Sequence, residues 1–123
     1  MATDVQPVVK GLSVVYLYVR DLDRSLAFYR DVLGIPLERS DQVWAEARLG
    51  SVRFALHALH AGVGEPQSGT MHADFEVDDI DEAAARVRAA GVDVREIRRE
   101  PYGSHCTFFD PDGYELELFQ PAR

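Results

Sequence analysis

A single cysteine, Cys106, stands in the 123-residue chain, so no intrachain disulfide can form. It lies between His105 and Thr107 in a strand-like run, with no basic neighbour to lower its pKa, which points to a buried inert thiol. No apolar run approaches the ~18 residues of a membrane span. The start, "MATDVQPVVKG", has neither the basic residues nor the apolar stretch of a secretory signal, and a cytoplasmic location is expected. Basic residues are also scarce: 13 Lys and Arg face 21 Asp and Glu, a formal charge of -8. Without a basic stripe, phosphate backbones have nothing to hold, and nucleic acid is excluded as a partner in favour of a small-molecule ligand. "DPDG" lacks the carboxylate spacing and glycine position of an EF-hand and reads as a tight hairpin turn.

What is present suits one domain over residues 1–123. Hydrophobic residues make up 46% and charged residues 28%, enough for an ordinary core without staples. "SVVYLYV" alternates as a strand. "DLDRSLAFYRDVLG" follows with helical spacing, Asp21 as its cap and Gly34 as its stop. "IPLERS", "VWAEARL" and "SVRFALHAL" read as three further strands. After the turn-rich "AGVGEPQSG" the pattern restarts: "HADFEV" as strand, "DDIDEAAARVRAAG" as helix, and "VDVREI", "SHCTFF" and "YELELF" as strands. The charge runs "DDIDE" and "REIRRE" fit a helix start and a solvated edge strand.

The chain thus reads as βαβββ twice, with units at 12–60 and 71–120 and a linker at 61–70. An offset of 58 residues lays Val19 on Val77, Asp21 on Asp79, Leu22 on Ile80 and Arg30 on Arg88, the mark of an internal duplication. The fold class is α+β, two units related by pseudo-twofold symmetry with strands curving into a ligand-binding cup. Each unit has one helix to cover one face of its strands, leaving the other face to line the cup. Period two assigns Val14, Tyr16 and Tyr18 to that face in the first strand, and His72, Asp74 and Glu76 in the fifth. Glu115, Glu117 and Phe119 join them from the eighth, Arg53, Ala55 and His57 from the fourth, and His105, Thr107 and Phe109 from the seventh. Trp44 and Glu46 complete a polar, acidic and aromatic surface. Parity leaves His60 facing solvent.

The segments "VYLYVRDLDRSLAFYRDVLGIPL", "HADFEVDDIDEAAARVRAAG" and "FFDPDGYELELF" resemble the vicinal oxygen chelate superfamily, which includes glyoxalase I, the bleomycin and fosfomycin resistance proteins, methylmalonyl-CoA epimerase and extradiol dioxygenases. The resemblance runs from about Leu12 to Gln120 and implies the paired βαβββ fold without specifying a reaction. In metal-dependent relatives the ligands come from the first, fourth, fifth and eighth strands. Carried over, the fifth-strand histidine falls on His72 and the eighth-strand glutamate on Glu117. The first- and fourth-strand positions fall on Val14 and Ala55, which cannot coordinate.

The second repeat therefore keeps both inherited ligand positions and the first has lost both. Two readings follow from the resemblance. In one, the protein is a metal-assisted lyase, isomerase or oxygenase acting on a small oxygen-rich molecule. His72, Glu117 and a displaced third ligand, His57, would hold zinc, nickel, manganese or iron, with Glu117 and Glu115 as catalytic carboxylates. The valine at position 14 counts against glyoxalase I and extradiol dioxygenase chemistry. In the other, a metal-free protein sequesters a flat cationic ligand between Tyr16, Tyr18, Trp44 and Phe109 and the carboxylates of Asp74, Glu76, Glu115 and Glu117, with His105 at the same wall. His72 and Glu117 would then be a hydrogen-bonded pair. A homodimer is expected by the same resemblance.

Overall fold

Two aspartates start the two helices in the same way. In the computed structural model, which describes residues 12–59, 65–66 and 72–123, Asp21 has φ -139° and its side chain accepts from the Arg24 amide. Asp79 has φ -136° and accepts from the Glu82 amide. Each satisfies one of the unpaired N–H groups of a first helical turn. The residues after the caps, Leu22 and Ile80, are both buried. Gly34 and Gly91 follow the helices at φ +78° and +90°, conformations that a side chain disfavours.

The first unit comprises β1 (Val15–Val19), a helix α1 (Leu22–Leu26) widening into a π-helical stretch (Ala27–Val32), β2 (Glu38–Arg39), β3 (Trp44–Leu49) and β4 (Val52–Ala58). The second comprises β5 (Ala73–Glu76), α2 (Ile80–Ala89), β6 (Arg98–Glu100), β7 (Gly103–Phe109) and β8 (Glu115–Pro121). The strand orders are β1-β4-β3-β2 and β5-β8-β7-β6, the same mixed topology twice. Two strands differ from the sequence reading. The run 92–97, expected as a strand, is irregular, and pairing begins at Arg98; before it only the Arg95 amide reaches β7, at the Thr107 carbonyl. "IPLERS" contributes only Glu38–Arg39, because Ile35 and Leu37 are drawn into the core instead of pairing.

Registers bear out the duplication. β1 meets β4 in parallel with Tyr16 opposite Ala55, and β5 meets β8 in parallel with Asp74 opposite Glu117. Ala55 and Glu117 are thus equivalent positions of the two repeats. The inner faces carry Leu17, Val19, Phe54 and Leu56 in one sheet and Cys106, Phe108, Leu116 and Leu118 in the other, and all belong to a single core. Phe28 meets Phe108 across the units at 6.2 Å between ring centroids, and Phe54 meets Phe75 at 5.9 Å. Because both inner faces feed one core, the outer faces look away from each other. His60 and most of the linker lie outside the described residues.

Polar contacts also join the units. The "DPDG" segment closes a turn, with the Gly113 amide donating to the Asp110 carbonyl. It also delivers two buried carboxylates to the first unit. Asp112 accepts from Arg20, Arg24 and Ser25, and Asp110 accepts from the Tyr29 hydroxyl. Tyr114 donates to the Tyr18 carbonyl at 2.8 Å. Among the described residues no helix is long and apolar enough to cross a membrane.

Candidate functional site

Strand pairing brings the acidic and imidazole groups of the second sheet together. His72 precedes β5, and Asp74, two residues on, shares its face and lies opposite Glu117. One ligand atom from each of His72, Asp74 and Glu117 lies within 4.8 Å of the others. His72 Nε2 is 2.7 Å from Asp74 Oδ1, and His72 Nδ1 is 3.4 Å from Glu115 Oε2, so both ring nitrogens face carboxylates. Glu117 Oε2 lies 3.3 Å from His105 Nδ1, both side chains being 17% exposed. Tyr102 stacks on His105 at 6.1 Å and on Phe119 at 6.3 Å, walling this face on its far side. Arg95 lies over the half-exposed ring of Phe109 at 5.5 Å. Glu76 is exposed at the outer end of β5, in register with Phe119.

The first sheet carries a different surface. Tyr16, Tyr18, Trp44 and His57 form an aromatic cluster with centroid separations of 5.1 Å for Tyr16–Trp44, 5.3 Å for Tyr18–His57 and 5.6 Å for Trp44–His57. Beside it Glu46 accepts from Arg53 at 2.7 Å and from the Trp44 indole at 2.8 Å. The Arg53 hydrogen bonds, aided by that of Trp44, hold the Glu46 carboxyl below its usual range. His57 Nδ1 donates to the Ala58 carbonyl at 2.7 Å, which fixes its tautomer. Ala55 is fully buried beneath its larger neighbours and Val14 half-buried.

The expected site residues therefore fall into two groups on two sheets. His72, Asp74, Glu115, Glu117 and His105 come together on the second. Tyr16, Tyr18, Trp44 and His57 come together on the first, and within one chain His57 stands apart from the group it was expected to complete. Asp74 instead lies with His72 and Glu117. Its signal was present in the sequence, since strand parity puts residues 72 and 74 on one face. Within one chain the two groups lie on the outer faces of separate sheets, because the units pack through their inner faces. Between the units lies a mainly apolar cleft of about 740 Å³, lined by Val15, Val52 and Phe54 from the first unit and Phe75 and Val87 from the second, and taking in His72, Asp74 and Glu76 along β5.

Comparison with known proteins gives concordant results. A family model described as the Glyoxalase/Bleomycin resistance protein/Dioxygenase superfamily matches residues 11–118. Lactoylglutathione lyase of Haemophilus influenzae is 37% identical over 118 aligned residues, covering 85% of this chain and 87% of that one. The uncharacterized protein YaeR of Escherichia coli is 33% identical over 126, covering 90% and 96%. Among solved structures, the fosfomycin resistance protein FosX of Mesorhizobium loti superposes with a TM-score of 0.71 at 26% identity, covering 94% of this chain and 95% of that one.

Proposed function

From the premise that this chain belongs to the glyoxalase/bleomycin resistance protein/dioxygenase superfamily, we propose that it is a divalent-metal-assisted enzyme acting on a small oxygen-rich molecule. The observation that carries this reading is the convergence of His72, Asp74 and Glu117 within 4.8 Å. One imidazole and two carboxylates suit zinc, nickel, manganese or iron, and three protein ligands are the number that a catalytic ion usually takes while keeping a position open. An ion bound there supplies Lewis acidity toward two neighbouring substrate oxygens. Asp74 replaces the ligands that Val14 and Ala55 do not provide.

The surrounding residues support distinct roles. Glu115, 3.4 Å from His72 Nδ1, orients the imidazole so that Nε2 faces the group; it is a positioning residue. Glu117, flanked by His105, is the carboxylate placed to carry a proton to or from the substrate. The aromatic surface of the first sheet faces away from this group, and a homodimer that sets one copy's first sheet against the other's second would close the cup. The Haemophilus relative carries the name of a lyase, which supports the enzymatic reading over the binding one. The missing ligands at positions 14 and 55 separate this chain from a site that draws on both units.

A second reading rests on the aromatic cluster. Tyr16, Trp44 and His57, with Glu46 at their edge, make a stacking surface suited to a flat ligand held without reaction. Calorimetric titration with zinc, nickel and manganese separates the two. One site per chain in the wild type and in His57→Ala, lost in His72→Ala and in Asp74→Ala, is the expected result. Absence of binding in the wild type would overturn the metal-assisted reading and leave the sequestering protein.

A further inference from the structure

Next to the His72–Asp74–Glu117 group a cavity of about 440 Å³ opens on the same face of the second sheet, lined by Arg95, Arg98, His105, Thr107, Phe109 and Glu115 among others. Two of its walls belong to both places. His105 contacts Glu117, and Glu115 contacts His72. Arg98 lies opposite His105 in the β6–β7 register, so its side chain rises on this face.

The condition of Arg98 sets it apart. In a chain of charge -8, Arg20, Arg24, Arg30, Arg39, Arg53, Arg95 and Arg99 all pair with carboxylates. Among the described residues no hydrogen bond or ion pair holds the Arg98 side chain. Arg48 and Arg86 share that condition, but Arg48 belongs to the first sheet, and Arg86 lines the larger cleft, which takes in His72 and Asp74 but none of Glu117, His105 and Glu115. Arg98 alone of the three lines the cavity that His105 and Glu115 share with the candidate metal group. Glu96 and Glu115 line this cavity too, and neither reaches it. An unpaired guanidinium presents a fork of donors matched to a carboxylate.

We propose that this cavity is an anion subsite in which Arg98 receives a carboxylate at the far end of the substrate. Phe109 supplies apolar contact to the connecting chain, and the Thr107 hydroxyl adds a donor within the same cavity. The proposal rests on the metal-assisted reading for the near end of the substrate and names its class: a short acid with vicinal oxygens at one end and a carboxylate at the other. β6 and β8 are separated by β7 alone, roughly 10 Å at the usual strand spacing. The Arg98 stem closes part of that span, leaving room for a chain of a few carbons.

The test uses the full chain loaded with zinc and two probes that differ only at the distal carboxylate, 2-oxoglutarate and 2-oxopentanoate. Calorimetry is expected to show 2-oxoglutarate binding about tenfold tighter or more, as a charge-assisted hydrogen-bonded pair implies. Arg98→Gln should erase that preference while leaving zinc affinity unchanged. Equal affinities in the wild type, or a preference surviving Arg98→Gln, would overturn the proposal. Failure of zinc to bind sinks only the metal-assisted reading, and the subsite is then tested in metal-free protein by NMR with glutarate. Shifts at residues 98 and 105–109 that vanish in Arg98→Gln sustain it, and their absence refutes it. Inorganic phosphate displacing glutarate at lower concentration than glutarate itself binds would refute the carboxylate assignment.

Discussion

The hydroxyl of Tyr29, on the first helix, donates a 2.6 Å hydrogen bond to Asp110 Oδ2, at the turn between the last two strands, and both residues are buried. Asp110 Oδ1 accepts from the amides of Asp112 and Tyr114, so the carboxylate is fully engaged. Burial pushes the Asp110 pKa up, opposed by the Tyr29 bond and the two amides. Burial, with the charge and hydrogen bond of Asp110, pushes the Tyr29 pKa up as well, so the phenol remains a donor at every ordinary pH.

Tyr29→Phe is expected to destabilise the protein by about 1–3 kcal/mol by leaving Asp110 Oδ2 buried without a donor. Its pH dependence has a definite sign. A carboxyl whose folded pKa is raised contributes most when protonated, and stability declines as pH rises from the ordinary carboxylate range through the folded pKa. Removing a bond that lowers this pKa raises it further, so the loss in Tyr29→Phe should be larger at pH 7 than at acidic pH. Urea unfolding at both values checks this, and a loss independent of pH would contradict it.

Gly103→Ala is expected to be among the most damaging substitutions in the β6–β7 hairpin, where Gly103 is buried. Gly103 has φ +149°, and a Cβ there would stand 2.5 Å from the Gln120 carbonyl and 2.8 Å from the Phe119 ring. Backbone cannot move aside as a flexible side chain can, so a cost of about 1–3 kcal/mol or more follows. A lowered thermal midpoint together with altered Tyr102 and His105 resonances would confirm it. An unchanged midpoint would show the hairpin to be more pliant than its contacts imply.

On the metal-assisted reading, Glu115→Gln should weaken zinc binding by about 10- to 100-fold without abolishing it, since the carboxylate contacts His72 and is not one of the three grouped side chains. Calorimetry with zinc, set beside Asp74→Ala, distinguishes orientation from ligation. Val14→His adds an imidazole on the first sheet of the same chain, away from this group, and is expected to tighten binding only in a protein that dimerises. Tightening in a demonstrated monomer would contradict the placement of the two sheets.

Cys106 is 2% exposed, and burial raises its thiol pKa. Labelling with a disulfide reagent should accordingly be slow in the native state and fast in urea. Rapid native labelling would show that β7 opens readily.

Period-two alternation and helix caps are local properties, and they were legible without the fold. They told that Tyr16 and Tyr18 share a face, that His72 shares one with Asp74, and that Asp21 and Asp79 begin helices. The repeat likewise lies in the linear order of residues, and the registers placing Ala55 opposite Tyr16 and Glu117 opposite Asp74 agree with it. How the two units pack is not a local property. It depends on which apolar faces meet, and Phe28 with Phe108, Phe54 with Phe75 and the Tyr29–Asp110 bond decide it. Those contacts turn the outer faces apart, so His57 was removed from the group the sequence offered it to, and Asp74, already on the right face, came within reach of His72 and Glu117. The late start of β6 was equally hidden. Alternation at 92–97 describes a strand, but pairing needs a partner in register, and β7 supplies one only from Arg98 onward, which is why that arginine stands over the cavity.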